Sequence, residues 1–511
     1  MADVFIDLSA AVNGDGTSES TPFNVMPTLG ANTYKFAAGT SYVGTLTVTA
    51  HGCEIQTYGD GDPFHVDGNG GAYGINAAGY VTRVLGVKVT NAASLIRLTS
   101  SNSYVRYCVL KDGLDGASGD AGVNFSPSAN ARTNVQIEGN IISNVRAGVY
   151  IRHTHATPTT WSDWSISDNT ITDARIGGGI TVLAGWPSKT ALNVFSGLTV
   201  ARNTVTTCAN AGISVLGQDP DVPNFPTAYC TGVVIEGNTV SYCGQGGIKA
   251  QSLQLSYIKG QNHVFMCGIG TDEATDTLGG IWTAKCDRLV VSDNNVHDIY
   301  TPGIDGVGIF IDQESVDCKV LRNRVADCFG LSTKVYSGMG IATYNADATE
   351  ITSNVVLRCR IGIATYGATG RAIDGSVTHN TVKDSATWGI LTGLNDGTDN
   401  PSGYTYKNNL VAGSNTSGTL GREGMQVSAG VTSLTTSHNW FDSVDFKVGA
   451  VDASDTVGQD PMITPGGSPL PGSPLLTQGA DLGYIRDIRG FQSRKHIGAY
   501  GAARLRATEH N

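Results

Sequence analysis

One short phrase, VQIEGNIIS at residues 135–143, returns along the chain as an apolar residue, two variable residues, Asn, one further residue and another apolar residue. It reads SISDNTIT at residues 165–172 and VVIEGNTVS at residues 233–241. Across the series, with its degenerate copy included, successive asparagines lie 24 to 35 residues apart. The clear copies are centred on Asn140, Asn169, Asn203, Asn238, Asn294, Asn323, Asn354 and Asn380, with a degenerate copy at Asn262 and further candidates near Asn408 and Asn439.

A second apolar alternation, introduced by glycine, follows each phrase, as in GVYIR at residues 148–152 and GMGIAT at residues 338–343. Alternation with period two, rich in β-branched residues and bounded by Gly, Asn, Asp and Ser, indicates strands. A repeat this short cannot bury its own apolar face and must stack on its neighbours. The pattern therefore predicts an all-β solenoid with two or three strands per turn, and neither helical repeats nor four-stranded propeller blades fit it.

The recurring asparagine resembles the inward Asn stack of the right-handed parallel β-helix superfamily, which includes pectin and pectate lyases, polygalacturonases and phage tailspikes. An Asn amide on each coil can bond to the coils above and below and satisfy backbone groups buried at a sharp corner. The resemblance implies a right-handed parallel β-helix with N- and C-terminal caps. By this interpretation the asparagines are scaffold and carry no chemistry.

No composition shift marks a linker within the 511 residues, which include 66 glycines, so we expect one continuous rod. Residues 1–80 are predicted to form an N-terminal cap and the first coils, 81–445 the parallel β-helix, and 446–511 a C-terminal cap or tail. Caps are needed because an uncovered terminal coil presents unpaired strand edges. GSPL at 472–475 and IGAY at 497–500 resemble the closing segment of bacterial extracellular β-helix proteins.

The formal charge of −11 argues against a nucleic-acid partner, whose phosphates require Lys and Arg. The chain has no run of 18 apolar residues, so membrane insertion is not expected. The N-terminus lacks the features of a signal peptide, which indicates that a leader has been removed or that the protein leaves its cell by virus assembly and lysis. Five cysteines follow a repeat Asn by five residues and are predicted to be small buried side chains, and no metal site or cofactor is expected.

Loop lengths point to a binding face. The coils of Asn262, Asn294 and Asn323 carry long loops on one side, and earlier coils carry extra length on the other side, with aromatics such as Trp186. Such loops on a rigid scaffold commonly carry binding residues. The outward residues of the glycine-led strands between them combine rings with polar groups suited to a sugar chain, namely Lys249, Gln251, Trp282, Phe310, Tyr344 and Tyr366. The alternative is an ordinary solvent-facing strand surface, because aromatic residues favour strands.

Carboxylates cluster on the same coils. Hydrolysis of a glycosidic bond needs a protonated acid and a second carboxylate, which neighbouring coils can supply. We expect Asp312 with Glu314 or Glu273 to form this pair, with Asp305 as a helper. The alternative for each of them is a turn carboxylate without a catalytic role.

The resemblance implies a virion-attached spike that binds and cleaves a bacterial surface polysaccharide outside the cell. Tailspikes are commonly homotrimers, so the same resemblance implies a homotrimer, with a virion adaptor protein as a further candidate partner. Two alternatives stay open. One is a non-enzymatic receptor-binding or structural spike. The other is a secreted bacterial polysaccharide lyase, which needs a base and a group that neutralises the uronate; the candidates for these roles are Lys249, His263, Lys285, Tyr336 and Tyr344.

Overall fold

The structure is a computed structural model, and it divides the chain into two compact units. Unit 1 comprises Met1–Gly244 and Ile248–Gln254, and unit 2 comprises Gln245–Gly247 and Leu255–Asn511. The residues that it describes are 2–117, 119–125, 131–153, 158–184, 193–217, 229–270, 279–301, 305–330, 337–367, 372–393, 400–413, 423–428, 430–442, 445–447, 452–480, 485–486, 488, 492–493 and 496–499.

Three short parallel strands make up each regular coil. We call them the first sheet, whose strands precede the repeat Asn, the second sheet, whose strands follow it, and the third sheet, whose strands are led by glycine. One coil contains Thr133–Glu138, Ile141–Val145 and Val149–His153. Each pairs in register with the strand one repeat later, as Ile137 with Ile166, Ile142 with Ile171 and Ile151 with Val182. The fold is therefore a parallel β-helix, as the repeat predicts.

In unit 1 the coils begin close to the N-terminus. The first sheet contains Asp3–Ile6, Thr33–Ala37, Cys53–Tyr58, Thr82–Leu85, Tyr104–Arg106, Thr133–Glu138, Thr160–Ser167, Val194–Ala201, Cys230–Thr231, Val234–Glu236 and Leu253–Gln254. The second contains Ser41–Val43, Val109–Lys111, Ile141–Val145, Thr170–Ala174, Thr204–Cys208 and Thr239–Ser241. The third contains Leu46–Thr47, Val123–Phe125, Val149–His153, Ile180–Ala184, Ile213–Leu216 and Gly246–Gln251, while His65–Ala77 and Lys88–Leu98 run through both the second and third sheets.

Unit 2 repeats this arrangement. Its first sheet contains Tyr257–Lys259, Val290–Ser292, Lys319–Leu321, Glu350–Thr352, Ser376–Thr378, Thr405–Lys407 and Thr435–Ser437. The second contains His263–Phe265, Asn295–Tyr300, Arg324–Phe329, Val355–Leu357, Thr381–Lys383, Leu410–Ala412, Trp440–Phe441 and Thr456–Val457. The third contains Gly279–Ala284, Val307–Asp312, Met339–Tyr344, Ile361–Tyr366, Trp388–Thr392, Glu423–Val427 and Asp445–Lys447. A 3₁₀ turn at Pro474–Leu476 and an antiparallel pair, Ile485–Arg486 with Gln492–Ser493, follow.

The repeat asparagines form a buried hydrogen-bonded ladder in each unit. Asn323 is typical: its Oδ1 accepts from the backbone N–H and the Nδ2 of Asn294, at 3.0 and 2.9 Å. Its Nδ2 donates to the carbonyl of Val291 and to Oδ1 of Asn354. Near the C-terminus the ladder member is Asn409, and Asn408 instead bonds to Ala480. The ladder is scaffold, as expected, because it satisfies backbone groups at every corner.

Glycine leads the strands of the third sheet because no side chain fits there. A Cβ on Gly308 would lie 2.4 Å from Cγ1 of Val325 and 2.6 Å from the carbonyl oxygen of Gly340. Gly179 in unit 1 has the same surroundings, formed by Val205 and Gly212. The backbone of this sheet therefore approaches the side chains of the second sheet more closely than any other residue would allow.

Both termini are capped. The free edge of Asp3–Ile6 is covered by an N-terminal loop, because Phe5 donates its N–H to Gly16 O and Phe23 donates its N–H to Phe5 O, both at 2.9 Å. At the other end the ladder stops at Asp455, whose Oδ1 accepts from the N–H and the Nδ2 of Asn439. Asp455 thus takes the place of a further asparagine.

Beyond Asp455 the chain folds back over the outer face of the second sheet of unit 2. Leu475 and Ile497 pack with Leu410 and Trp440 in one buried cluster, and Ala499 packs with Ala326, Val355 and Leu357 in another. We call described residues 460–499 the C-terminal segment. It spans the coils of Asn323 to Asn439, so it covers one side of these coils as well as their end.

All ten cysteines are free and buried. This agrees with their expected role as compact apolar side chains, and burial raises the pKa of Cys53 to about 12. Within the described ranges, no helix has the length and hydrophobicity to cross a membrane.

Candidate functional site

The predicted site residues fall in both units. Lys249 and Gln251 lie half-buried on Gly246–Gln251 of unit 1, in register with Ser214 and Leu216. Trp282, Phe310, Tyr344 and Tyr366 lie on the third sheet of unit 2. Glu273, Trp186 and Tyr336 lie outside the described residues.

Strand register aligns the outer side chains of the third sheet of unit 2 in columns. Trp282 pairs with Phe310, Phe310 with Ala342, Ala342 with Ala364, and Ala364 with Leu391. A parallel column contains Ala284 paired with Asp312, and Tyr344 paired with Tyr366. The long side chains of one column therefore lean on those of the other.

This face is more buried than the alternation alone indicated. Phe310 is 5% exposed and Tyr366 is 8% exposed, since the rings pack on one another, with ring centroids 6.5 Å apart for this pair and 5.1 Å apart for Tyr344 and Tyr366. Trp282, Tyr344 and Trp388 pack against the same cluster and stay partly exposed. The centre of the face is thus apolar core, and its accessible part is a rim of aromatic rings.

Asp312 ends the strand Val307–Asp312 at the edge of this rim. Its Oδ2 accepts a 2.9 Å hydrogen bond from Nε1 of Trp282, one coil away, and its Oδ1 accepts from the backbone N–H of Gln313 at 2.8 Å. Burial raises the pKa of Asp312 and is the largest effect, while these two donors and the charge of buried Lys285 act in the opposite direction. Asp312 is therefore a buried carboxyl group whose ionised form is favoured by Gln313, Trp282 and Lys285.

Asp305 has a different environment. Its pKa is raised to about 6, first by burial and then by the charge of Asp312. Its backbone carbonyl accepts the N–H of Gly338 at 2.8 Å, which ties it to the next coil. Two carboxyl groups thus interact, and their environments differ. Because hydrogen-bond donors favour ionised Asp312, Asp305 is the member that holds its proton in mildly acidic solution, up to its pKa of about 6.

The predicted acids do not share one environment. Glu314 is exposed at the corner after the strand, with a positive φ of 59°, while Asp312 is buried. The sequence reasoning named Asp305 only as a helper and gave no binding role to Lys285 or Trp388. Trp388 could have been found, because it leads the strand WGILT and so shares its register position with Ile361. Lys285 gave no such signal, since it follows its strand at a corner with φ of 55°.

No group of three or more His, Cys, Asp or Glu side chains suited to a metal ion occurs among the residues that the structure describes.

Comparison with known proteins identifies the fold. Residues 159–356 match the family model described as "Right handed beta helix region". Together with the parallel coils, this match shows that the chain has the right-handed parallel β-helix fold. The tailspike assignment stays a prediction. No curated protein matches the sequence.

Similar solved structures include three carbohydrate-related proteins. One is the A-module of mannuronan C-5 epimerase AlgE4 from Azotobacter vinelandii, with 14% identity, a TM-score of 0.40, and coverage of 79% of this chain and 91% of that one. Another is XylC in complex with xylose, at 10% identity and a TM-score of 0.41, covering 90% and 87%. The third is the GH136 lacto-N-biosidase from Eubacterium ramulus, at 14% identity and a TM-score of 0.38, covering 89% and 67%. At this level of similarity they carry no argument about activity.

Proposed function

We propose that this right-handed β-helix protein binds a polysaccharide along the third sheet of unit 2 and hydrolyses its glycosidic bonds with Asp305 as the acid and Asp312 as the base or nucleophile. The observation that carries the proposal is the interaction of two carboxyl groups in unlike environments. Asp305 has a pKa of about 6, whereas Asp312 accepts hydrogen bonds from Trp282 and Gln313. Glycosidases need one protonated and one ionised carboxyl group at the same bond.

The chemistry follows from this difference. Asp305 gives its proton to the glycosidic oxygen as the bond from that oxygen to the anomeric carbon breaks. The carboxylate of Asp312 either takes a proton from the attacking water or bonds to the anomeric carbon, in which case water hydrolyses the intermediate and returns the proton to Asp305. The anomeric form of the first product, observed by NMR, distinguishes the two routes.

Aromatic rings provide the binding surface. Trp282, Tyr344 and Trp388 are the partly exposed rings against the apolar cluster, and Trp282 also contacts Asp312. Flat apolar rings pack on the faces of pyranose rings, and the indole N–H holds Asp312 in place for the reaction. A sugar chain on this rim would therefore lie beside both carboxyl groups.

The test is reducing-end release from a panel of bacterial capsular and O-antigen polysaccharides. Asp305→Asn and Asp312→Asn should each lower the rate by about 100- to 10,000-fold, the usual contribution of acid–base catalysis. Glu314→Gln, on the exposed corner two residues from Asp312, is the matched control and should retain the wild-type rate. Activity should fall as the pH rises above about 6, because Asp305 then loses its proton. Full activity of Asp305→Asn, or cleavage of no polysaccharide in the panel, would contradict the proposal.

A second candidate function is binding without cleavage, as in a receptor-binding spike. It is favoured by the burial of Asp312, which is 8% exposed and leaves little surface for a reacting bond. Retention of a polysaccharide on the immobilised protein without shortening of the chain would select it. A lyase, the other alternative, would release products with the ultraviolet absorbance of an unsaturated uronate in the same assay.

The proposal extends to the biological setting. We infer from the resemblance of the repeat to that of phage tailspikes that the protein acts outside the cell as a homotrimeric spike on a virus particle, attached through an adaptor protein, and that its partner is a bacterial surface polysaccharide. Three parallel binding faces would raise the avidity for a repetitive glycan. Light scattering tests the oligomer: a mass three times the 53.2 kDa of one chain supports it, and the mass of a single chain contradicts it.

A further inference from the structure

An open cavity of about 480 Å³, lined mostly by polar and charged residues, lies on the second sheet of unit 2, on a different sheet from the Asp305–Asp312 pair. It occupies the coils of Asn262, Asn294 and Asn323, next to the corner where the ladder runs. Its lining residues are Gln261, His263, Asp293, Asn294, Asn295, Arg322, Arg324 and Ile488. We call it the corner cavity.

Three side chains in one register column form its floor. His263 pairs with Asn295, and Asn295 pairs with Arg324, at the first position of successive strands of the second sheet. Because neighbouring strands are about 4.8 Å apart, an imidazole, an amide and a guanidinium group lie in a row about 10 Å long. That length matches one to two sugar rings.

The residues before the ladder asparagines form one wall. Gln261, Asp293 and Arg322 have positive φ angles of 66°, 59° and 55°, which place them at the corner of each coil. Arg322 donates from Nε and Nη2 to the two carboxylate oxygens of Asp293, both at 2.8 Å, so the charges of this pair compensate each other. Ile488 of the C-terminal segment provides an apolar side of the cavity.

Arg324 has no oppositely charged partner among the residues that the structure describes. Its side chain is exposed and has no hydrogen bond or ion pair with any described residue, and the side-chain amides of Gln261 and Asn295 likewise have no partner there. Guanidinium is a fork of donors that fits a carboxylate, and an amide offers both a donor and an acceptor. The cavity therefore presents one cation and two amides to whatever enters it.

His263, the remaining polar residue of the cavity floor, forms a pair with His297. Nε2 of His263 and Nε2 of His297 are 2.7 Å apart, and Nδ1 of His297 is 2.7 Å from a carboxylate oxygen of Asp298. Nδ1 of His263 takes no part in this contact, so it can form a hydrogen bond with a hydroxyl group of a ligand.

We propose that the corner cavity binds an anionic sugar, a pyranose that bears a carboxylate, with Arg324 on the carboxylate and Gln261, Asn295 and His263 on the hydroxyl groups. The volume exceeds what a small inorganic anion needs, and the alternation of donors and acceptors suits hydroxyl groups. The site holds its ligand on a sheet that does not carry the proposed catalytic pair. Binding there does not require hydrolysis by Asp305 and Asp312.

The test is calorimetric titration of the whole protein with glucuronate, with glucose as the neutral match and with acetate and sulfate as the charges without a ring. Glucuronate should bind at least about tenfold more tightly than any of the other three, which corresponds to 1.4 kcal/mol. Arg324→Gln should weaken glucuronate binding by about tenfold or more. Arg288→Gln is the matched control, because Arg288 is an exposed arginine of the same unit whose guanidinium contacts Asp287 outside the cavity.

Each outcome is decisive. Equal binding of glucose and glucuronate, or equal binding of sulfate and glucuronate, would overturn the assignment of an anionic sugar. Unchanged binding in Arg324→Gln, with the wild-type melting temperature, would overturn the location.

Discussion

The inward side chains of the second sheet are apolar in both units, but its outward side chains are exposed in the regular coils of unit 1 and buried in the later coils of unit 2. In unit 1 the outward column pairs Thr170 with Thr204 and Thr204 with Thr239, and these threonines are exposed or half-exposed. In unit 2 the corresponding column pairs Leu410 with Trp440, both essentially fully buried. The inward face is set by the need to fill a core, whereas the outward face depends on whether another segment covers it.

This difference in the burial of outward side chains indicates how a covered face of a solenoid can be recognised. Leu410 and Trp440 are neighbouring apolar residues at outward positions, and the C-terminal segment packs on them through Leu475 and Ile497, while Ala499 packs with Val355. A single apolar residue gives no such indication, because Ile141, in register with Thr170 of unit 1, is 53% exposed. Neighbouring apolar residues at outward register positions therefore predict a buried face. On the third sheet of unit 2, Phe310 and Leu391 are likewise buried, there by packing within their own cluster.

We expect the largest loss of stability from substitutions in the asparagine ladder, which both units contain. Asn323→Ala in unit 2 and Asn203→Ala in unit 1 each remove an amide that accepts two hydrogen bonds and donates two. Each should lower the free energy of unfolding by about 3–5 kcal/mol, because several buried polar groups lose their partners. Urea unfolding monitored by circular dichroism measures this loss. Thr170→Ala, on the exposed column, is the control and should change it by no more than about 0.5 kcal/mol.

A ladder that stabilises only one unit would contradict the expectation that it contributes to stability in both units. That result would appear as a large loss for one asparagine variant and a loss no greater than that of the control for the other.

The C-terminal segment gives an effect confined to unit 2. Leu475→Ala removes a fully buried side chain that packs with Leu410 and Trp440. We expect a loss of about 2–5 kcal/mol, the usual cost of such a cavity, and faster proteolysis of the C-terminal segment. Leu470→Ala, where the side chain is 40% exposed, serves as the control. Equal proteolysis rates in the two variants would show that Leu475 does not anchor the segment.

Acidic pH should weaken the packing of the C-terminal segment on the coils of unit 2. His379 of unit 2 is fully buried, its Nε2 accepts from Nδ2 of Asn408, and its ring centroid is 4.5 Å from that of His496 in the C-terminal segment. Burial, and then the neighbouring His496, hold the pKa of His379 well below its usual value of 6.5. The attached state thus favours neutral His379, so its stability is fully present above pH 6.5 and is lost as the pH falls from there towards the lowered pKa.

The predicted loss is up to about 1.4 kcal/mol for each pH unit over that window. Hydrogen exchange of residues 496–499 measured across the window should show progressive loss of protection. His379→Gln should flatten this pH dependence, and an identical profile in the variant and the wild type would assign the acid sensitivity to another group.

We expect the smallest change in stability at the exposed outward face of the second sheet of unit 1. Thr204→Leu in unit 1 should change the free energy of unfolding by no more than about 0.5 kcal/mol, because the side chain of Thr204 is exposed. Leu410→Thr, the reverse exchange at a buried site of unit 2, should cost more than about 1.5 kcal/mol, since an apolar side chain is lost and a hydroxyl is buried. Equal effects in a thermal unfolding assay would mean that the two faces do not differ in the way described.

Much of the coil could be predicted from residues that repeat. The spacing of Asn140, Asn169 and Asn203 indicated the ladder, and the glycine before each third-sheet strand indicated where that strand begins. These features are local, because the same residue types occupy the same packing positions in each coil. The position of Asn409 was given only to within a residue, since two asparagines stand together at 408 and 409.

The candidate site was only partly predictable. Asp312, Trp282 and Phe310 could be placed on one face by alternation and register, but their burial could not, because it depends on side chains from several coils packing on one another. The sequence grouped Asp305 with Asp312, but nothing in it indicated which of the two has the raised pKa of about 6, and nothing indicated the return of the C-terminal segment over Leu410 and Trp440.

The sequence by itself determined the parallel coils, their strands and the inward asparagines, because a regular repeat leaves one way to satisfy backbone hydrogen bonds and bury every second side chain. Only the tertiary structure decided which outward faces are covered and which carboxyl group keeps its proton. Both depend on groups far apart in the chain, whose burial and charge interactions exist only once the coils have stacked.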